Sequence, residues 1–175
     1  MDGLVIRPAT EADGERCAEI YRPYVSNTAI TFEVDPPTAA QMADRIADAN
    51  ALHAWLIAED GDRTIGYAYA HPFAARPAYR WSCETSVYLE MGRRRTGAGR
   101  ALYEALLDRM VERGYRIAMA GMALPNPASV GLHEALGFEL VGTYRRVGWK
   151  NGAWHDVARV QKVLAADPGI PAEPH

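Results

Sequence analysis

Two cysteines in 175 residues, Cys17 and Cys83, are too few for a disulfide framework, and both read as reduced thiols acting as small buried hydrophobes. No Cys/His spacing suits a metal, so none is expected. No apolar run approaches the ~18 residues of a membrane span. Met1-Asp2-Gly3-Leu4-Val5-Ile6-Arg7 has no basic stretch followed by an apolar one, so it does not read as a secretion signal. A cytoplasmic location without a membrane partner is the resulting expectation. Basic charge is not in excess: the net charge of -3 argues against nucleic acid as the main ligand. Internal repeats and inter-domain linkers are missing too. A hydrophobic content of 49% and a mean hydropathy of -0.23 suit one soluble domain with a substantial core. Residues 1–164 are expected to form that domain. Residues 165–175, with three prolines and little apolar content, are expected to be a flexible tail.

The periodicities give an order of elements. Leu4–Arg7 reads as a strand. Thr10 with Asp13 opens a helix carrying Cys17, Ile20, Tyr21 and Tyr24, and Thr38-x-x-Gln41 is a capping box for a second helix with Met42 and Ile46. His53–Ala58 and Thr64–Ala70 form a hairpin about Glu59–Asp62, and Cys83–Leu89 is the next strand. A helix from about 97 to 113 ends at Gly114. Ile117–Leu124 is a strand, Asn126 caps a short helix ending at Gly137, and Phe138–Val147 pairs with Trp154–Val163 around Lys150-Asn151-Gly152. The order β-α-α-β-β-β-α-β-α-β-β predicts an α/β domain, α+β in character, with a mixed sheet.

The most informative stretch is Arg94-Arg95-Thr96-Gly97-Ala98-Gly99-Arg100, between the strand-like Ser86–Leu89 and an amphipathic helix. Glycines at a strand-to-helix turn let the backbone approach a ligand closely, and the first helical N–H groups then point at it, as an anion such as pyrophosphate requires. A Walker loop is excluded because Gly99 is followed by Arg100-Ala101 rather than Lys-Ser/Thr. A dinucleotide fingerprint is excluded because position 102 is Leu.

The loop resembles the coenzyme A loop of the GCN5-related N-acetyltransferases (GNAT), Arg/Gln-x-x-Gly-x-Gly/Ala, here Arg94-x-x-Gly97-x-Gly99. Those proteins also carry Asn, a tyrosine seven residues on and then Gly-Phe; here the order is Asn126, His133, Gly137-Phe138. Glu84-Thr85-Ser86-Val87-Tyr88, the block Leu124–Phe138 and Gly148-Trp149-Lys150-Asn151-Gly152-x-Trp154-His155-Asp156-Val157 resemble one branch. That branch is the phosphinothricin N-acetyltransferase family, with its methionine sulfoximine and sulfone acetyltransferases. Asn27-Thr28-x-x-Thr31-Phe32-Glu33 and Arg76-x-x-Tyr79-x-Trp81 belong to the same resemblance, which covers roughly residues 4–164. It implies a central twisted, mostly antiparallel sheet flanked by helices, acetyl-CoA as co-substrate, a small amino-acid-like acceptor, a resistance activity and a homodimer.

An amine attacks a thioester only as the free base, so a base must stand within reach. Glu84 is the candidate: it sits in an apolar strand, shares a face with Ser86 by alternation, and partial burial of a carboxylate favours basicity. A solvated or ion-paired glutamate on an edge is the alternative. His133 coincides with the superfamily's acid position and is the second catalytic candidate, as base or as proton donor to the leaving thiolate. His155-Asp156 reads as hairpin structure or pocket wall. Backbone groups of Val87, Tyr88 and Leu89 are expected to hold the pantetheine arm like an added strand. Arg94, Arg95, Thr96, Gly97, Ala98, Gly99 and Arg100 are assigned to the pyrophosphate, and Asn126 and Ser129 to the pantetheine. Phe32, Arg76, Tyr79, Arg80 and Glu84 are assigned to the acceptor, the arginines because its polar oxygens call for them. Acetylation of another small amine or a protein N-terminus, or CoA binding without turnover, remain the competing readings.

Overall fold

A computed structural model describes residues 3–93, 97–166 and 171–175. Seven strands form one sheet: β1 (Leu4–Pro8), β2 (Trp55–Asp60), β3 (Arg63–Pro72), β4 (Ser82–Leu89), β5 (Ile117–Ala123), β6 (Glu139–Lys150) and β7 (Ala153–Val163). Their order is β1-β2-β3-β4-β5-β7-β6, and every adjacent pair is antiparallel except β4 and β5. That pair is parallel because a crossover helix, α3 (Ala98–Glu112), joins the two strands. The other helices are α1 (Gly14–Asn27), α2 (Ala39–Leu52) and α4 (Pro127–Ala135). The mixed, mostly antiparallel sheet flanked by helices is the one expected.

Local chemistry accounts for the boundaries. Thr10 and Asp13 form their capping box around a single 3-10 turn, Glu11–Asp13, so α1 begins at Gly14 rather than directly after Thr10. Thr38 and Gln41 cap α2 reciprocally at 3.2 and 2.9 Å. The β6–β7 turn has Asn151 at φ 53° and Gly152 at φ 75°, the left-handed pair that a two-residue hairpin demands.

The sheet divides the core in two. On one face α3 packs Leu102, Tyr103, Leu106 and Met110 against Ala68, Ala70, Cys83, Ala118 and Ala120, and Phe138 joins from beyond α4. On the other, α1 and α2 pack Cys17, Ile20, Val25, Met42 and Ile46 against Trp55, Ile57 and Tyr67. Cys17 and Cys83 are buried and unpaired, and burial pushes both thiols up to about 12, as inert core residues. In the stretch expected to be a tail, residues 171–175 contact the domain. Trp81 Nε1 donates to Ala172 O at 2.8 Å, Arg80 pairs with Glu173, and the His175 N–H donates to Arg113 O at 3.1 Å.

The α1–α2 crossing is closest at Gly14, where an added Cβ would lie 2.6 Å from Ala39 O and 2.9 Å from Ala43 N. Both are backbone atoms that cannot step aside. Gly14→Ala is therefore expected to destabilise the fold by roughly 1–3 kcal/mol of overpacking, outweighing the ~1 kcal/mol that alanine gains in helix propensity. A lower Tm in thermal unfolding is the expected result; an unchanged or higher Tm would show that the helices separate without penalty.

Candidate active site

Register places the site. β4 and β5 pair only from Ser82↔Ile117 to Glu84↔Met119, after which they part. Thr85 marks the split: its Oγ1 lies 3.1 Å from Met119 O and 2.6 Å from Tyr103 OH. Beyond it, Thr85–Tyr88 of β4, Ala120–Met122 of β5, and Asn126, Ser129 and His133 of α4 line an open cleft, with Ile30 closing it from the loop after α1. The backbone of β4 is unpaired on this side, a ready edge for an extended ligand arm.

Glu84 stands at the mouth of the split. It shares a face with Ser86, as alternation predicts, and with Tyr69 and His71 of β3, which oppose the two in register. One carboxylate oxygen, Oε1, accepts from Arg159 Nη1 at 2.7 Å, and the two side chains are 23% and 18% exposed, neither fully buried nor freely solvated. The other oxygen has no partner among the described residues. The Glu84 hydrogen bond holds the Arg159 guanidinium above its ordinary range, so its charge is permanent. Tyr69, its hydroxyl directed to Ser86, is pushed up by burial and stays neutral.

His133 is buried at the end of a polar line. Its Nε2 lies 3.0 Å from Tyr103 OH and its Nδ1 2.8 Å from Ser129 O, with Ser129 Oγ at 3.4 Å. Tyr103 and Phe138 flank the ring edge-on. Burial lowers its proton affinity against the opposing pull of the Ser129 carbonyl, so it is neutral at pH 7. The line Met119 O, Thr85, Tyr103, His133, Ser129 O ends in carbonyl acceptors and has four contacts, whereas neutral Thr, Tyr and His carry three protons between them. An imidazolium would fill all four, so the network has a place for one more proton.

The coenzyme loop is described in part. Arg94, Arg95 and Thr96 lie outside the described residues. Gly97 adopts φ 75° at the N-cap of α3, and as a glycine it offers no side chain to cap the first N–H groups. Gly99 sits where a Cβ would meet Leu89 Cδ1 at 3.2 Å, a tight contact that the leucine side chain would have to ease. The cradle fits a pyrophosphate. Arg100, in the first turn of α3, pairs with Glu104 at 2.8 Å. Asn126 accepts from the Ser129 N–H as N-cap of α4. The Tyr88 ring packs on the opposite face against Tyr21 and Tyr24, and Leu89 O accepts from Tyr24 OH at 2.7 Å. Of the β4 contacts foreseen for the pantetheine, that carbonyl is thus already engaged.

The acceptor residues divide. The loop bearing Arg76 and Tyr79 leaves β3 at Pro72, next to the Glu84 level, and both side chains are exposed. Arg80 is engaged elsewhere: it forms a two-pronged pair with Glu173 at 2.7 and 2.8 Å and stacks on Trp81. The Phe32 ring lies on Gly148, where any Cβ would overlap it, and faces His155 at 6.2 Å. Its loop is pinned by Tyr21 OH to Thr31 Oγ1 (2.5 Å), Lys150 Nζ to Thr31 O (2.8 Å) and the bidentate Arg45–Glu33 pair (2.8 and 2.9 Å). His155 bonds Lys150 O, and Asp156 accepts from the Arg146 N–H, so both serve the hairpin. Sequence reasoning missed Ile30, Tyr69, Tyr103 and Arg159. Only Arg159 carried a signal, as a cation between the apolar Ala158 and Val160 of β7, and without the register nothing joined it to Glu84.

No helix among the described residues is long and apolar enough to cross a membrane. The profile of an acetyltransferase (GNAT) domain matches residues 6–158. A phosphinothricin N-acetyltransferase of Streptomyces viridochromogenes is 39% identical over 97% of this chain and 90% of its own. A methionine sulfoximine/methionine sulfone acetyltransferase of Pseudomonas paraeruginosa is 34% identical over 93% of this chain and 95% of its own. The crystal structure of a GNAT-superfamily phosphinothricin acetyltransferase from Sinorhizobium meliloti in complex with acetyl-CoA superposes with a TM-score of 0.93 at 38% identity, covering 98% of this chain and 94% of that one. With its split sheet, glycine cradle and α4 histidine in one cleft, the chain belongs to the GNAT acetyltransferase family.

Proposed function

We propose that this protein is an acetyl-CoA-dependent N-acetyltransferase that acetylates the α-amino group of a small amino-acid analogue: phosphinothricin, methionine sulfoximine or methionine sulfone. It would serve as a detoxifying, resistance-conferring enzyme of the cytoplasm. The observation that carries this reading is Glu84, a half-buried carboxylate with one oxygen unengaged, standing where β4 parts from β5. Acetyl-CoA supplies the acetyl thioester. Backbone groups of Val87, Tyr88 and Leu89 align its arm along β4, Gly97–Arg100 receive the pyrophosphate together with Arg94–Thr96, and Asn126 and Ser129 border the arm from α4. Glu84 takes the ammonium proton, directly or through a water, as the N–C bond forms and the C–S bond breaks. The second proton, which leaves the nitrogen once the N–C bond has formed, fills the vacant place in the neutral His133 network and passes from there to the leaving thiolate. Phe32, Arg76 and Tyr79 border the acceptor, and Arg80 reaches it only by releasing Glu173. Released thiol, measured across methionine sulfone, methionine sulfoximine, phosphinothricin, methionine and a peptide, tests the assignment. Turnover with the sulfone or sulfoximine and far less with methionine is expected; turnover with the peptide alone would overturn it.

Glu84→Gln keeps the shape and removes the base. It is expected to lower turnover by roughly 10²-fold or more while leaving acetyl-CoA affinity nearly unchanged. Raising the pH should recover part of the rate, since more of the amine is then deprotonated without help. Wild-type turnover in this variant across neutral pH would make Glu84 structural.

The β6–β7 hairpin supports a homodimer. Leu140, Val141, Tyr144, Val147, Trp149 and Trp154 are all at least half exposed, with Leu140 at 67% and Trp149 at 59%. So many exposed apolar side chains on an edge strand and its hairpin partner are typical of an interface. Light scattering after gel filtration is expected to show twice the monomer mass for wild type and a shift to monomer for the double variant Tyr144→Lys, Trp149→Lys. A monomeric wild type would refute the dimer.

A further inference from the structure

Arg159 sits opposite Gly121 in the β5–β7 ladder. A Cβ at position 121 would lie 2.5 Å from its Nη1 and 3.5 Å from its Cζ. The glycine is therefore what lets the guanidinium lie across β5, on a residue that lines the cleft, and reach Glu84 on β4. Of five N–H donors, one of the two on Nη1 bonds Glu84; Nε and Nη2 have no partner among the described residues. Of the other cations near the acceptor face, Arg45 is committed to Glu33 and Lys150 to Thr31 O, while Arg76 is exposed on the loop after β3. The groups facing the pair are Tyr69 and His71 of β3 and Tyr144 of β6, and the nearby anion Glu33 is taken up by Arg45.

We propose that Arg159 determines acceptor specificity by taking the α-carboxylate of a zwitterionic amino acid, which sets the α-amine against the unengaged oxygen of Glu84. An α-amino acid carries its cation and anion on one carbon. A glutamate and an arginine joined by one hydrogen bond present the complementary pair, acceptor beside donor, with the spare guanidinium edge free for a carboxylate. The inference rests on Glu84 being the base of an N-acetyltransferase.

The test compares methionine sulfone with its decarboxylated amine, 3-(methylsulfonyl)propylamine, in wild type, Arg159→Met and Arg159→Lys. Wild type is expected to favour the amino acid. Arg159→Met is expected to raise the amino acid's KM by roughly 10²-fold and to change the amine's KM by no more than about threefold, abolishing the preference. Arg159→Lys is expected to retain part of it. Equal losses for both compounds would mean that Arg159 only supports Glu84, and a preference that survives in Arg159→Met would give the carboxylate to another residue such as Arg76; either overturns the proposal. Should Arg159→Met fold poorly, Gly121→Ala displaces the guanidinium without removing it and should narrow the same preference. If neither compound is acetylated, the acetyltransferase reading has failed. Calorimetric titration of the sulfone and the amine into wild type and Arg159→Lys then decides Arg159 on binding alone: stronger sulfone binding that weakens in the variant supports it, and indifference to the carboxylate refutes it.

Discussion

Backbone hydrogen bonds between β4 and β5 stop after Glu84 and Met119, and a strand edge left open inside a protein must be satisfied by something. Thr85 satisfies the last β5 carbonyl with its hydroxyl and ties the split to Tyr103 of α3. From there the edge of β4 is open until Leu89, whose carbonyl accepts from Tyr24 OH. The crossover helix that forces the parallel pairing also brings its N-terminus, opened by Gly97, to the far end of the same strand. One topological fact thus opens the edge of β4 and sets the start of α3 at the end of that edge.

The two faces of the sheet treat this opening differently. The α3 face is apolar up to the split, and the polar line from Thr85 to His133 runs through it as a hydrogen-bonded filament. Burial there is why His133 resists protonation while every neighbour offers it an acceptor. The α1–α2 face carries the charges in pairs, Glu84 with Arg159 and Glu33 with Arg45. Pairing keeps partly buried charges affordable, and an incomplete pairing, as at Glu84 and Arg159, leaves hydrogen-bonding capacity directed at whatever enters the cleft.

Glycine decides several of these approaches, each for a steric reason that composition does not reveal. Gly121 admits the Arg159 guanidinium, Gly148 admits the Phe32 ring and Gly99 admits Leu89. In the sequence these glycines look like breaks in strand or helix patterns. In the fold they are the places where one element must lie directly on another.

Much of the architecture was legible in the chain because its causes are local. Capping boxes at Thr10 and Thr38, the Asn151-Gly152 turn, the apolar stripe of α3 and the alternation that puts Glu84 beside Ser86 each act within a few residues. The motif spacings around Gly97, Asn126 and His133 therefore pointed to a coenzyme cleft before any contact was known. Contacts between distant segments were not legible. Arg159 meets Glu84 across 75 positions, Tyr103 meets His133 across 30, and Arg80, which looked like an acceptor residue from its neighbours, is claimed by Glu173 across 93. Which cation faces which anion depends on strand register and sheet order, and those are set by burial of the whole core. The sequence by itself determined the elements, the family pattern and the kinds of chemistry present; only the tertiary structure decided which charges meet, because Coulomb and hydrogen-bond energies depend on distances in space and not along the chain.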